Sequence, residues 1–188
     1  SVKFHTALES RFDCRPGSRQ VLTPESPIEF TGVRISMERG SKTDSYFIDQ
    51  SEALARFLTQ HDLDEVRCRD SPMPSREELF SDDELVSDEE ASWCKSVIGS
   101  LHFLVRASRW DIAHAVSRVS QHCANPTVGT VKALRHLAGY LIATKSLCLT
   151  GRRVQGADSF TIAVDSDHHG DPNLLKQSQS GLIVLLNG

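Results

Sequence analysis

Three stretches in the middle of the chain repeat apolar residues every three or four positions, which is the spacing of a buried helix face. Their members are Trp93, Val97, Leu101, Leu104 and Val105, then Ile112, Ala115, Val116, Val119 and Cys123, then Val131, Leu134, Leu137, Ala138 and Leu141. Breaks fall at Ala107-Ser108 and at Asn125-Pro126-Thr127, where the Thr127 hydroxyl is suited to cap the third helix. Amphipathic helices joined by short loops predict a compact three-helix bundle.

The segment before the bundle predicts a β-β-α arrangement. Ile28–Ile35 is a β-type run, Tyr46–Ile48 is a second apolar patch, and the turn-like Glu38–Ser41 between them is typical of a hairpin. Ser51 is suited to be the N-cap of the helix that follows. Apolar residues of that helix recur at helical spacing as far as His61, at Ala53, Leu54, Phe57 and Leu58.

The two ends of the chain differ from its middle. Residues Val2–Phe12 show the spacing of a short helix, which Pro16-Gly17 ends. From Leu147 onward, short segments rich in Leu, Ile and Val predict the strands of a separate sheet. These segments are Leu147–Thr150, Phe160–Val164 and Leu182–Leu186. The fold class predicted for the whole is α+β.

The net charge of −4 conceals two opposite regions. Between Lys95 and Gly156 there are nine Lys and Arg residues against one acidic residue, Asp111, so this region carries +8 and the remainder −12. Much of the negative charge lies in the run Glu77–Glu90, which is expected to be solvated because like charges repel. The basic region predicts a face that binds polyanions, although ordinary solvated helix surfaces would have the same composition.

Several classes of protein are excluded by composition and motif. The longest apolar stretch, Ser180–Gly188, is far shorter than the roughly 20 residues that a membrane-spanning helix needs. Five scattered cysteines without C-x-x-C spacing argue against a disulfide framework or zinc finger and favour a reducing compartment. Phosphate-loop, dinucleotide-binding and serine-hydrolase motifs are absent. Because the sequence opens on Ser1, we expect it to be part of a longer chain.

The acidic segment Asp165–Asp171 follows the predicted strand Phe160–Val164. Carboxylates at the end of a strand can hold Mg²⁺, which prefers oxygen ligands. A calcium loop is disfavoured because its twelfth position would be Lys176. A zinc site is disfavoured because His168 and His169 are adjacent and would face opposite ways on an extended chain. An Asp-rich turn that binds no metal remains the alternative.

The segments, taken in order, resemble the Pol polyprotein of copia-type LTR retrotransposons. Val97–Leu104 followed by Arg109–Arg118 is similar to the family's "VGSL-YL...RPDI-AVSRLS" block. Other landmarks are Phe30–Ile35 for the "FLGI-I" strand, Ser71–Pro74 for the "TPM" turn, Ala133–Lys145 for "ALKR-LRYLKGTK", and Val164–Gly181 for "SDADWAGD...STSGY". The similarity covers about residues 28 to 188.

This resemblance implies an order of domains. Residues 1–70 would be the end of a reverse transcriptase palm (β-β-α) and residues 71–90 an acidic linker. Residues 91–146 would be a three-helix thumb/connection bundle, and residues 147–188 the truncated start of a ribonuclease H-like domain with the first strands of its sheet. The implied partners are an RNA–DNA hybrid or DNA duplex and the rest of the parent polyprotein, with no membrane. The implied location is intracellular, either cytoplasmic in a virus-like particle or nuclear.

The resemblance also implies roles for individual residues. Cations of the helical region would grip the nucleic-acid backbone, which needs positive charge but little base readout. These cations are Arg106, Arg109, Arg118, Lys132, Arg135 and Lys145. Asp165 would be the first catalytic carboxylate of ribonuclease H and a ligand of Mg²⁺, which would be present only in a complete parent enzyme.

Departures from the family pattern argue against activity of this chain alone. The polymerase motif Tyr-x-Asp-Asp is absent, and the remaining ribonuclease H carboxylates would lie beyond Gly188. Trp110 replaces a proline, Ala143 and Cys148 replace glycines, and His168 replaces a tryptophan of the family blocks. We therefore expect a fragment that binds template-primer but is catalytically incomplete. The alternatives are a non-enzymatic nucleic-acid-binding helical module and a relic without function.

Overall fold

The computed structural model describes residues 10–12, 20–41, 43–73, 84–152, 160–167 and 179–186. The helix predicted over Val2–Phe12 lies outside this part of the chain except for its last three residues, which form a turn and a bend. The chain divides into two compact units, Ser1–Ser36 with Phe47–Leu149 and Met37–Tyr46 with Thr150–Gly188.

Four strands form the first sheet in the order β1 (Ile28–Phe30), β2 (Val33–Glu38), β3 (Ser45–Asp49) and β4 (Leu149–Arg152). The hairpin predicted across Glu38–Ser41 is confirmed, since β2 and β3 are neighbours. The prediction that the segment after Leu147 belongs only to a separate sheet is wrong, because β4 is the fourth strand of this sheet.

The run Ile28–Ile35, predicted as a single β segment, is instead a tight hairpin of two strands. Phe30 lies opposite Val33 in the antiparallel pair, so the loop is only Thr31-Gly32. Both loop residues have positive φ, 49° at Thr31 and 79° at Gly32, which is what a type I′ turn requires. The apolar residues change phase across this loop, from Ile28 and Phe30 to Val33 and Ile35, and this shift is the sequence signal of the turn.

Helix α1 spans Ser51–Gln60 and buries the four apolar residues predicted for its inner face. The predicted cap is wrong in detail. The N-cap position is Gln50, Ser51 is the first helical residue, and the backbone N–H of Ser51 donates to the Asp49 carboxylate. An aspartate two residues before the helix thus satisfies an N–H group that the helix itself leaves unpaired.

The predicted three-helix bundle is confirmed as α2 (Asp88–Ala107), α3 (Ala113–Ser120) and α4 (Val128–Ala143), with a 3-10 turn at Trp110–Ile112. Thr127 caps α4 as predicted, because its hydroxyl accepts from the Thr130 N–H. The predicted stripes form the core with α1. Fully buried members include Leu58, Leu63, Val97, Leu101, Leu104, Ile112, Val116, Val119, Leu134, Leu137 and Leu141.

The last residues of the acidic run are exposed, as expected for solvated carboxylates, and they are also helical. Helix α2 begins at Asp88, and Ser87 and Glu90 form a reciprocal capping box. The side chains of Asp88, Glu89 and Glu90 lie in the first turn, where carboxylates interact favourably with the helix dipole. Just before this helix, the backbone of Glu84 accepts from the Val128 N–H at 2.9 Å, which attaches the segment to the start of α4.

A second sheet contains β5 (Phe160–Asp167) and β6 (Gln179–Leu186), which are antiparallel. Ile162 lies opposite Val184 and Val164 opposite Leu182, and these four side chains are more than half exposed. Directly opposed residues share one face of a sheet, so this face is apolar and open to solvent. No helix in the described part of the chain combines the length and the apolar character needed to cross a membrane.

Candidate nucleic-acid interface

The six cations predicted to grip nucleic acid occupy different environments. Arg106, Lys132, Arg135 and Lys145 are exposed. Arg118 is half-buried on α3, with Nη1 3.4 Å from the Gln121 Oε1. Arg109 is only 2% exposed. The structure therefore leaves most of this predicted set accessible but removes Arg109 from the surface.

Arg109 forms a buried staple between the α2–α3 connection and the end of α4. Its Nε and Nη2 donate to the two oxygens of Asp111 at 2.9 and 2.7 Å. Its Nη1 donates to the Thr144 carbonyl at 3.2 Å, and Nη2 also donates to the Thr144 hydroxyl at 2.6 Å. The guanidinium carbon lies 5.8 Å from the centroid of the Tyr140 ring. A planar guanidinium is suited to this fork because it presents its donors in fixed directions.

The contacts around Arg109, together with burial, explain the shifted pKa values of Asp111 and Tyr140. Burial by itself would raise the pKa of Asp111, but the hydrogen bonds and positive charge of Arg109 outweigh burial and hold that pKa below its ordinary value. Burial and the hydrogen bond to Asp111 raise the pKa of Tyr140. The Thr144 carbonyl is at the C-terminal end of α4, where a cation interacts favourably with the helix dipole. Assigning Arg109 to nucleic-acid contact was therefore wrong, since its donors are used inside the protein.

An open face runs along α2. Lys95, Gly99, Phe103 and Arg106 are separated by four, four and three residues, so they share one side of the helix, and all are exposed. We call these four residues the α2 face. A Cβ atom built on Gly99 would meet nothing within 4 Å, so the middle of this face is shallow and bare. Two cations thus flank a flat stretch that carries one aromatic side chain.

The α2 face continues to the β1–β2 hairpin. A Cβ atom built on Gly32 would lie 3.4 Å from the Phe103 ring and 3.5 Å from an Arg56 guanidinium nitrogen. A cavity of about 350 Å³ lies beside this contact, between the hairpin and the start of α1. Both signs of charge line the cavity, with Arg34 and Arg56 facing it together with Glu29, Asp49 and Glu52. The motif that resembles a family strand therefore forms one wall of a polar cavity.

A second basic surface includes residues that sequence reasoning missed. The segment around Arg67 and Arg69 lies along α4, with the Arg69 N–H donating to the Gly139 carbonyl at 3.2 Å. Farther along, the His136 Nε2 is 3.0 Å from the Ser71 carbonyl. Gly139 permits this approach, since a Cβ atom there would collide with the Arg67 carbonyl oxygen.

The contact brings the exposed Arg67 and Arg69 against α4 at Gly139, and the same helix also carries the exposed Lys132 and Arg135. We call these four residues the α4 surface. Arg135 lies over the Trp93 ring at 5.7 Å, a cation–π contact that fixes its position. Composition counted by region could not find this surface, because Arg67 and Arg69 lie outside the basic stretch of the sequence. The available signal is Gly139 itself, a glycine in the interior of a helix.

Asp165 lies inside β5 rather than beyond the end of a strand. It pairs with Gly181 on β6, and its side chain is exposed. Among the residues that the structure describes, no three His, Cys, Asp or Glu side chains come together in a way that could hold a metal ion. His168, His169 and Asp171 lie outside the described residues. The described residues therefore do not fit a two-magnesium site.

Cys94, the most buried of the described cysteines, is not suited to act as a nucleophile. Burial, together with the neighbouring Glu90 carboxylate, raises the pKa of Cys94 to about 11. A thiol with this pKa is almost entirely protonated at neutral pH, and the thiolate is the reactive form. Cys94 instead packs in the core as a small apolar residue.

Comparison with known proteins shows a similarity to a transposon protein. The chain is 24% identical over 163 residues to the putative transposon Ty5-1 protein YCL074W of Saccharomyces cerevisiae. The alignment covers 85% of this chain and 50% of that protein, so the chain spans about half the length of the relative. No protein-family model and no solved structure matches the chain. The chain is therefore similar to a transposon protein over most of its own length.

Proposed function

We propose that this chain is a fragment of a copia-type retrotransposon polyprotein, running from the C-terminal part of reverse transcriptase into ribonuclease H. In the parent enzyme it would contribute template-primer binding, with an RNA–DNA hybrid or DNA duplex as its ligand. The chain by itself would be catalytically incomplete. Its location would be that of the parent polyprotein, in a cytoplasmic virus-like particle or the nucleus.

Two independent kinds of observation support the assignment to this family. The sequence landmarks from Phe30 to Gly181 follow one another in the order of the copia-type polyprotein. The similarity to the transposon Ty5-1 protein extends over 163 residues, which is most of the chain and includes most of these landmarks whichever 163 residues are aligned. The helices and two sheets of the described residues form a mixed α and β arrangement, which is compatible with parts of two neighbouring domains.

The α2 face is the observation that favours nucleic-acid binding. Lys95 and Arg106 can neutralise backbone phosphates at both ends of a shallow stretch, and displaced counterions then favour binding. Between them, Gly99 leaves room for a sugar-phosphate surface, and Phe103 offers a flat apolar contact. No acidic side chain occurs in this helix after Glu90, so nothing on the α2 face itself opposes an approaching polyanion.

Catalysis would require residues that this chain does not bring together. The Tyr-x-Asp-Asp motif is absent from the 188 residues. Asp165 would supply one of several carboxylates needed to hold two Mg²⁺ ions across a scissile phosphate, and one carboxylate cannot hold both. Magnesium would therefore act only in the complete parent enzyme, where Asp165 would be one of its ligands.

The salt dependence of duplex binding tests this proposal. We expect the chain to bind an RNA–DNA hybrid with little sequence preference and with an affinity that falls steeply as salt rises. Replacing Lys95 and Arg106 by alanine should lower the slope of log affinity against log salt by about 2, because each phosphate contact contributes about 0.9. Fluorescence anisotropy with a labelled hybrid measures the slope.

The matched control replaces Arg39 and Arg152, two exposed cations outside the bundle, and changes the net charge equally. An equal effect of both double variants would show that only net charge matters, and undetectable binding at low salt would refute the proposal. Primer extension and hybrid cleavage should both be absent. Robust Mg²⁺-dependent cleavage abolished by Asp165→Asn would contradict the incomplete character of the chain.

The alternative of a non-enzymatic nucleic-acid-binding module predicts the same duplex binding. The two hypotheses differ in the motifs that they predict on either side of this segment in its gene. An intact Tyr-x-Asp-Asp motif upstream and further carboxylates downstream would favour the parent enzyme, whereas their absence would favour the separate module or a relic.

A further inference from the structure

A stripe of three residues on α3 combines an aromatic side chain with two groups that can carry positive charge. The 3-10 turn Trp110–Ile112 leads directly into α3, which begins at Ala113. His114 and Arg118 are four residues apart on α3 and share one side of that helix, and Trp110, four residues before His114, lies in the 3-10 turn that precedes it. We call them the α3 stripe. Trp110 is 48% exposed, His114 is exposed and Arg118 is half-buried.

The Arg109 staple holds Trp110 in its outward position. Arg109 and Asp111, the two neighbours of Trp110, are bonded to each other through two hydrogen bonds. The next residue, Ile112, is completely buried in the core. With residues on both sides anchored, the backbone at Trp110 is fixed and its indole is presented to solvent. Because the backbone at Trp110 is already ordered, a ligand that packs against the indole does not bear the cost of ordering it.

The surroundings of Trp110 favour an anionic ligand. Ala113 and Ser117 lie beside the stripe and are small and exposed, so they leave the helix surface flat. The nearest acidic group in sequence, Asp111, is neutralised by its ion pair with Arg109. No acidic residue occurs in α3, and Lys145 directly follows Thr144, the other partner of the staple. Aromatic side chains flanked by cations are the usual means of holding unpaired bases and the phosphates between them.

We propose that the α3 stripe is a binding site for single-stranded nucleic acid, in which Trp110 stacks on an unpaired base and Arg118 contacts the adjoining backbone. His114 adds a hydrogen-bond donor to the same strand. The proposal rests on the proposed nucleic-acid-binding function and adds a second site, on a different helix from the α2 face. It assigns to Trp110 a role in binding rather than in folding.

Intrinsic fluorescence tests this site directly. The chain has two tryptophans, so Trp93→Phe leaves Trp110 as the reporter. Titration of this full-length variant with a short oligothymidylate at low salt should quench the Trp110 emission as the base stacks. Trp110→Ala in the otherwise unchanged chain should weaken oligothymidylate binding by about fivefold or more, since stacking on one base contributes roughly 1–3 kcal/mol. Trp110→Phe should retain most of the affinity because it keeps an aromatic face.

The outcomes separate this site from the proposed function. Unquenched emission and unchanged affinity of Trp110→Ala for the single strand, with duplex binding intact, would overturn the stripe and leave the proposed function standing. Failure to bind duplex and single strand alike would overturn both. Equal losses for duplex and single strand in Trp110→Ala would show that Trp110 is not specific for unpaired bases, which also overturns the proposal. Circular dichroism and thermal melting of each variant verify that the fold is kept.

Discussion

At the scale of single residues, Arg109 and Asp111 make contacts inside the protein and do not serve as a binding surface. A guanidinium that is 2% exposed must have partners, because an unpaired buried charge is strongly destabilising. Asp111 and Thr144 provide them from two parts of the chain that are 33 positions apart in sequence. The pair therefore joins the end of α4 to the connection between α2 and α3.

Removing one partner of this pair should destabilise the fold. For Asp111→Ala we expect a loss of about 3 kcal/mol in the free energy of unfolding, the low end for buried pairs because the Asp111 side chain is partly exposed. Urea denaturation followed by circular dichroism measures it. Glu65→Ala, at an exposed position, should change the value by less than about 0.5 kcal/mol. A similarly small effect of Asp111→Ala would mean that the staple is not structural.

His61 should make the stability of the chain depend on pH. Its side chain is buried between α1 and α2, with Nε2 3.2 Å from the Ser100 hydroxyl. Burial lowers its pKa below 6.5, although Asp62 partly opposes the shift. The folded state thus binds fewer protons than the unfolded state, and stability is complete above the unfolded pKa and declines as pH falls through and below 6.5.

Thermal melting over this range should show a decline that His61→Gln removes. Asp111 cannot produce the same decline, because its depressed pKa places its contribution at more acidic pH, below 3.8. If the variant lost stability on acidification as steeply as the parent chain, His61 would not be the responsible group.

At the scale of elements, α2 and α4 owe their boundaries and contacts to a few local features. Ser87 and Glu90 start α2 by a capping box, a Ser-x-x-Glu signature visible in the sequence but masked by the acidic run around it. Gly139 allows the backbone of Arg67 to lie against α4 and so forms the α4 surface. The capping box can be recognised from the sequence because its two residues are three positions apart. The contact at Gly139 cannot, because it joins segments that are distant in sequence.

Two glycine substitutions provide a matched test of that contact. Gly139→Ala should destabilise the chain by about 1–3 kcal/mol, because the new Cβ collides with the Arg67 carbonyl oxygen and forces backbone to shift. Gly99→Ala should stabilise it by about 0.5–1 kcal/mol, because its Cβ meets nothing and alanine is the better helix former. Urea denaturation of both variants measures the two changes. Opposite signs are expected, and a stabilising Gly139→Ala would refute the close approach.

At the scale of the whole molecule, the distribution of charge along the sequence does not predict which cations share a surface. The basic stretch after Lys95 includes Arg109, which is buried, while the α4 surface takes Arg67 and Arg69 from an earlier segment. The strand after Leu147 pairs into the sheet of the first segment, and the ribbon of β5 and β6 forms a sheet of its own. One surface, or one sheet, thus contains residues from segments that differ in composition and lie apart in the sequence.

The sequence by itself determined the helices and the core, since the 3.6-residue repeat of apolar side chains in α1 to α4 is a local property and the buried residues follow from it. It also contained the ordered landmarks and the clustered cations on which the proposed function rests. Only the tertiary structure decided that Arg109 turns inward, that Thr31-Gly32 divides a single run into two strands, and that Arg67 reaches α4. Each of these depends on contacts between residues distant in sequence or, at the turn, on a positive φ at Thr31, a conformation that a β-branched side chain disfavours.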